Sequence, residues 1–392
     1  MIAAVRPDAG AAALSEAEVA ALFAPLASSP AIAIAVSGGA DSLALLAVAD
    51  RWRRAPARPK VIVLTVDHGL SPGSAAVAAR VAAIAADRGL AVRVLAWTGP
   101  KPRTDIEAAA RDARYRLLAA AAREAGATHL LTAHSLDDQA ETFLMRLGRG
   151  SGVFGLAAMR QELDLGGLVL FRPFLGVARA RLASTTVAAG LVAYDDPMNA
   201  DPRFLRVRVR QLLPALAEAG IDAPTLAAAA GRLARAADAI DVAVDALIAS
   251  AVRVDAQAVV TVEAEAVAAA PAEVCSRLLV RLLLAVGGEA YPPRSERLDA
   301  LAAALFGQHG MAVKRTLAGV VVERRAGRLL FYRETGRAGL PVLPVSPGFA
   351  GSWDHRFRVS VGPDQREGLT VAALGGLRPA GLVRPAGVPA AA

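Results

Sequence analysis

The stretch AIAIAVSGGADSLALLAVA, from Ala31 to Ala49, constrains the fold more than any other part of the chain. Ala31 to Val36 is an apolar run of strand length, too short for a helix. Leu43, Leu46 and Ala47 then recur at helical spacing. Between them lie Ser37, Gly38, Gly39, Ala40, Asp41 and Ser42. A strand, a tight loop and a helix, in that order, make the turn where a parallel sheet holds its ligands. Gly38 and Gly39 permit left-handed backbone and close approach to a ligand. The N–H groups of the next helical turn lack partners and favour an anion. Asp41 is at odds with phosphate unless a divalent cation bridges the two. The loop has no Lys, so it is not a Walker A loop. The plain alternative is a Gly-rich turn whose Asp or Ser caps the helix.

Strand and helix patterns alternate onward. Strands are expected at 31–36, 60–66, 91–97, 128–133 and 167–171, with helices at 42–54, 74–88, 105–125 and 137–147. That alternation predicts an α/β fold with a doubly wound, parallel, five-stranded sheet. A helical lead-in over 1–30 precedes it, and the sheet domain extends over 31–220. Residues 221–337 read as a helical connector from Pro224 to Ala251 and a smaller α+β domain. That domain has helices at 271–286 and 294–306 and a hairpin in GVVVERRAGRLLFYRE. Residues 338–392 are rich in Gly and Pro and read as a small β-like segment with a flexible tail.

A chain of 392 residues with 55% apolar content has room for two or three domains. The formal charge of +8 favours a polyanionic partner. Lys60, Lys101 and Lys314 are the lysines, so nearly all of that charge is Arg. Composition bias is the competing explanation. No apolar run is long enough for a transmembrane helix, and the N-terminal residues lack the pattern of a secretory signal. Cys275 is the single cysteine, so no intrachain disulfide or cysteine metal cluster is expected, and the expected compartment is the cytoplasm.

Four further segments carry chemistry. TVDHGL places Asp67 and His68 at a strand end, where base and ribose of a nucleotide would lie, or where they would simply shape a turn. In DIEAAARDARY, helical spacing puts Glu107, Arg111 and Arg114 on one face, as an exposed salt-bridge ladder or an anion site. In TAHSLDDQAETF, His134 ends a strand, while Asp137, Asp138 and Glu141 open a helix. Carboxylates there complement the helix dipole, hold a metal, or bind and deprotonate an amine. In DDPMNADPRFLRVRVRQLL, Arg203, Arg206, Arg208 and Arg210 suggest contact with RNA phosphates. Arg203, Arg206 and Arg210 share a helical face. Arg208 points elsewhere, as a partner of Asp195 or Asp196 or as a bystander.

SGGADS resembles the SGGxDS signature of the PP-loop ATP pyrophosphatases. The order and spacing of all five segments resemble the tRNA(Ile)-lysidine synthetases, closely over 31–215 and more loosely to the hairpin. That resemblance implies ATP and Mg²⁺, with Ser37, Gly38, Gly39, Ala40, Asp41, Ser42, Asp67, His68 and His134 on the nucleotide. It implies Asp41 and Asp138 at the metal, and Asp41, Arg111, Arg114, Asp137 and Glu141 in catalysis. Asn199 to Arg210 match the link to tRNA recognition, with Arg203, Arg206 and Arg210 on RNA. The implied reaction joins free L-lysine to C2 of the wobble cytidine of a tRNA(Ile) with a CAU anticodon, through an adenylated intermediate. Ser135 stands where many members have a second His. A homodimer is compatible with the resemblance, and no membrane partner is expected. One cysteine in an apolar helix excludes sulfur-transfer chemistry of the tRNA thiolase kind. Two other readings stay open: a PP-loop ligase acting on a small metabolite, and a non-catalytic RNA-binding protein with a relict nucleotide fold.

Overall fold

The structure is a computed structural model. It describes residues 11–70, 73–99, 101, 106–194, 201–255, 257–289, 291–307, 312–336 and 339–373, with the side chains of 106–108 excepted. The described chain divides into two compact units, at Ala234 and Arg235.

The first unit opens with helix α1 (Glu16–Leu22), started by a Ser15–Glu18 capping box. Strands and helices then alternate: β1 (Ala31–Ala35), α2 (Ala40–Arg53), β2 (Lys60–Asp67), α3 (Ser74–Asp87), β3 (Ala91–Ala96), α4 (Ile106–Glu124), β4 (His129–Leu131) and α5 (Leu136–Leu147). After them come α6 (Val153–Leu156), β5 (Glu162–Asp164), β6 (Val169–Phe171), α7 (Arg179–Ala188), α8 (Leu205–Glu218) and α9 (Ala223–Ala251), whose last turns enter the second unit.

Six strands form one sheet in the order β3-β2-β1-β4-β6-β5. The five expected strands are parallel. The short edge strand β5, which the sequence pattern did not suggest, runs antiparallel to β6. It was missed because Glu162–Asp164 is exposed and carries no apolar alternation. Gly166 and Gly167, both at positive φ, close that hairpin.

The alternation Ala-Ile-Ala-Ile-Ala in β1 sorts the two faces of the sheet. Ile32 and Ile34 join Leu43, Leu46, Phe171, Phe174 and Leu182 in one core, with α2, α3 and α7. Ala31 and Ala33 face Leu118, Ala122, Leu130 and Leu170 in the other, where α4 lies. β1 bonds β2 on one side and β4 on the other. The strand order therefore reverses between β1 and β4, and the loops leaving these two strands flank the crevice where such sheets bind ligands. Helix α5 turns Ala140 and Phe143 toward Leu213 of α8 and Leu226 and Ala230 of α9.

The second unit holds an antiparallel sheet, β7-β8-β11-β10-β9, built from Val252–Val254, Val260–Glu263, Val313–Leu317, Val320–Arg325 and Arg328–Arg333 for β7 to β11. The expected hairpin is β10–β11, with Ala326 and Gly327 at positive φ in its turn. Helices α10 (Ala264–Ala268), α11 (Ala272–Gly287) and α12 (Ser295–Phe306) join it. Leu279 and Leu283 of α11 pack with Val320, Leu329 and Phe331. Cys275, partly buried against this core, donates its Sγ–H to the Val267 carbonyl, and burial raises its thiol pKa. Strands β12 (Leu343–Val345) and β15 (Leu369–Val371) pair, as do β13 (Ala350–Trp353) and β14 (Phe357–Ser360). The expected tail lies outside the described residues.

Leu45 is wholly buried in α2, beneath the loop after β1. Leu45→Ala is expected to cost about 2–5 kcal/mol of stability, read from urea unfolding.

Candidate active site

The loop after β1 is held by its own hydroxyls. Ser42 Oγ accepts from the Ser37 N–H at 3.1 Å and donates to the Gly39 carbonyl at 2.9 Å. Gly38 sits at φ +88°, and a Cβ there would meet Val77 Cγ1 at 2.8 Å, so both backbone and space demand glycine. The Gly38 carbonyl accepts from the Tyr194 N–H, and the Ala40 carbonyl accepts from Thr186 Oγ of α7. Ser37 to Ser42 thus form one braced turn that opens α2, with Gly39 as its N-cap.

Asp41 projects from the first turn of α2. Its Oδ2 accepts from Arg179 Nε at 3.3 Å, while its buried Oδ1 has no hydrogen-bond partner. Burial raises its carboxyl from 3.8 to about 6, against the pull of Arg179 and with the help of Asp138 and Asp137. A buried carboxylate oxygen without a donor suits a cation. Among the described residues no group of three His, Cys, Asp or Glu forms a metal cage. A single carboxylate oxygen of this kind is compatible with a hard divalent cation that completes its shell with phosphates and water.

Across the crevice, α5 begins with a capping box between Ser135 and Asp138. Asp138 Oδ2 accepts from Ser135 N–H at 2.8 Å, and Oδ1 accepts from Arg179 at 2.8 Å and Arg206 at 3.2 Å. Burial raises its pKa, but Arg179 and Arg206 more than offset this and keep it low. Both Asp138 oxygens thus accept hydrogen bonds, in contrast to the unpartnered Oδ1 of Asp41. Asp137 instead accepts the backbone N–H of Arg179 at 2.7 Å.

Glu141, one turn on, is 0% exposed. Arg179 and Arg210 each donate to Oε1 at 2.9 Å, and Arg206 Nε donates to Oε2 at 2.6 Å. Burial alone would raise this carboxyl; hydrogen bonds from Arg210 and Arg206 and the charge of Arg179 hold it below its ordinary value. His134 bonds Thr132 Oγ through Nδ1 at 2.9 Å. Burial pushes its pKa down to about 3, against Asp138, so its ring is neutral at physiological pH.

Arg206 and Arg210 share a face of α8, as the spacing predicts; Arg206 reaches Asp138 and Glu141, Arg210 reaches Glu141, and both side chains stay partly exposed. Spacing fixes which residues share a face, and the packing of α8 on α5 decides where it points. Arg203 is exposed and pairs with Asp201 at 2.6 Å. Arg208 is exposed and makes no ion pair among the described residues. Asp195, Asp196 and Asn199 lie outside the described residues.

Asp67 and His68 shape their own turn. Asp67 Oδ1 accepts from Ser74 Oγ and from the Gly69 N–H, and His68 Nδ1 accepts from the Leu70 N–H. Arg111 and Arg114 stand exposed on α4, their guanidinium groups 5.0 and 5.8 Å from the Tyr115 ring. The side chain of Glu107 is outside the description. Arg179 was missed, although it touches more of the cluster than any expected residue. It is 138 positions from Asp41, and nothing local marks it among the neighbouring arginines.

Residues 12–216 match the PP-loop domain family. The tRNA(Ile)-lysidine synthase of Rhodopseudomonas palustris is 47% identical over 337 residues, covering 83% of this chain and 97% of that protein. The protein of the same name from Bradyrhizobium diazoefficiens is 46% identical, covering 81% and 93%. That of Methylobacterium nodulans is 46% identical, covering 78% and 91%.

A carboxyl raised on folding contributes stability only while protonated, below about pH 4, and loses it as pH rises through the folded value. Asp41→Asn stays neutral throughout. Without metal, it is expected to be more stable than the unaltered protein by about 1–3 kcal/mol at pH 8, with the difference fading below pH 4. Urea unfolding at the two pH values, in chelator, checks this.

Proposed function

From the premise that this chain belongs to the tRNA(Ile)-lysidine synthase family, we propose that it joins free L-lysine to the cytidine at the first anticodon position of a tRNA(Ile) bearing CAU. ATP adenylates the C2 carbonyl oxygen and releases pyrophosphate; the ε-amine of lysine then attacks C2 and expels AMP. The observation that carries this reading is the meeting of a braced PP-loop turn with a buried cluster of mixed charge across one crevice.

The loop from Ser37 to Ser42 offers backbone N–H groups and hydroxyls to the pyrophosphate. Asp41 would hold Mg²⁺ through its free oxygen, and the ion would neutralise charge developing on the leaving pyrophosphate. Arg111 and Arg114 are exposed on α4, and a guanidinium suits bidentate contact with phosphate.

Free lysine carries two ammonium groups and one carboxylate. The α5–α8 cluster answers both signs, with Asp138 and Glu141 beside Arg206 and Arg210. Arg206 and Arg210 therefore suit the substrate carboxylate better than RNA. The attacking amine must also lose a proton. Asp137, outside the arginine network except for one backbone bond, is the carboxylate best placed to take it. Neutral His134 at the strand end is available as a hydrogen-bonding partner without adding charge. Such a reaction draws on cytoplasmic substrates. No helix among the described residues is long and apolar enough to cross a membrane.

Incubation with ATP, labelled lysine and tRNA, followed by mass spectrometry of the nucleosides, is expected to show one cytidine carrying lysine. Asp41→Ala should abolish pyrophosphate release while tRNA binding survives. ATP consumption that needs no tRNA would favour a small-metabolite ligase, and tRNA binding without any ATP consumption a relict fold.

The arginine placement predicts a second contrast. Arg208→Ala should weaken tRNA binding and lower the slope of log K against log salt by about 0.7–0.9. Arg206→Ala should leave that slope unchanged and raise the lysine KM instead. Fluorescence anisotropy with labelled tRNA across a salt series, beside lysine saturation curves, distinguishes the two.

A further inference from the structure

Arg179 opens α7, and its guanidinium reaches a different carboxylate with each nitrogen. Nε meets Asp41 at 3.3 Å, Nη2 meets Asp138 at 2.8 Å and Nη1 meets Glu141 at 2.9 Å. These carboxylates come from two separate places. Asp41 belongs to the turn after β1, and Asp138 and Glu141 belong to the helix after β4. Arg206 and Arg210 pair with the second group alone. Among the described ion pairs, Arg179 is thus the link between the two sides of the crevice.

Its backbone is fixed to both sides as well. The Arg179 N–H is held by Asp137 of α5, and Thr186 of the same helix donates to the Ala40 carbonyl beside Asp41. Just before α7, the Val177 carbonyl accepts from the Leu136 N–H at the start of α5. The side chain therefore has little freedom to favour one carboxylate without leaving another.

We propose that Arg179 is a positioning residue that couples the nucleotide side of the site to the amine side. By spanning Asp41 and the Asp138–Glu141 pair, it sets their separation within a buried cluster. A cation arriving at Asp41 competes with Nε, and an ammonium arriving at Asp138 or Glu141 competes with the other two nitrogens. Loading of one side is then felt at the other, and linkage makes that effect reciprocal. This inference rests on the reading of the chain as a lysine-transferring ligase.

A guanidinium spreads five N–H donors over three nitrogens of one plane, whereas an ammonium offers its three donors from a single nitrogen. Arg179→Lys keeps the charge and loses the span. The full chain is titrated calorimetrically with free L-lysine, first alone and then with Mg²⁺ and an α,β-methylene analogue of ATP. In the unaltered protein the two lysine affinities are expected to differ by about 5-fold or more. In Arg179→Lys that difference should collapse toward unity, while circular dichroism and tRNA affinity stay unchanged. Equal lysine affinities in the unaltered protein, with and without the nucleotide, would overturn the coupling whether or not the variant folds. So would a variant that retains the full difference, whatever its melting temperature. Absence of any lysine binding by the unaltered protein would instead remove the proposed function itself.

Discussion

Glu141 is a carboxylate taken wholly out of water, and three guanidinium groups surround it. Much of the catalytic unit is arranged around that fact. A buried charge is tolerable only when paired and hydrogen-bonded, and removing one partner of such a pair is far costlier than its net worth suggests. Arg179 arrives from α7, and Arg206 and Arg210 from α8, so one residue of α5 fixes the positions of two other helices. Apolar packing of Phe143 and Ala140 in one cluster with Leu213 of α8 adds to the hold of α5 on α8. The ion cluster supplies their register, since a slide of one residue along α8 would carry both arginines off the carboxylates.

The parts of this site that are legible in sequence are the local ones. A strand, a Gly-rich turn and a helix in succession declare themselves within twenty residues, because the backbone demands at Gly38 and the alternation of Ala31 to Ala35 are properties of the segment itself. The parallel order of the five strands follows from the helices between them. Three things did not follow. Arg179 acts through distant partners and has no local mark. The pairing of Arg206 and Arg210 with carboxylates of α5 depends on which side of α8 the apolar residues pack, and Leu212, on that helix, remains exposed while Val207 is buried. Strand β5 has no apolar pattern and exists only because β6 offers it an edge. At Asp67 the sequence leaves two readings open, and the structure shows its Oδ1 accepting from Ser74 and Gly69, the bonds that shape the turn.

Charge counting connects the cluster to the kind of substrate it suits. Asp41, Asp137, Asp138 and Glu141 face Arg179, Arg206 and Arg210, which leaves one formal negative charge in a largely dry space. A cluster that were neutral would gain little from a cation, and one with several surplus carboxylates would protonate instead of waiting for a ligand. Asp41 carries a carboxyl raised by burial, with Asp138 and Asp137 adding to the effect, and it has an oxygen with nothing to accept from. The remaining carboxylates are already balanced by arginines that are only partly buried and able to yield. On the proposed function, lysine would bring a net positive charge together with a carboxylate of its own, and so would replace an internal ion pair with an external one of the same pattern. A neutral amino acid lacks the second ammonium that this proposal sets beside the carboxylates. Discrimination against such a molecule then comes from a carboxylate left without its counter-charge, which costs more than a lost contact between apolar groups.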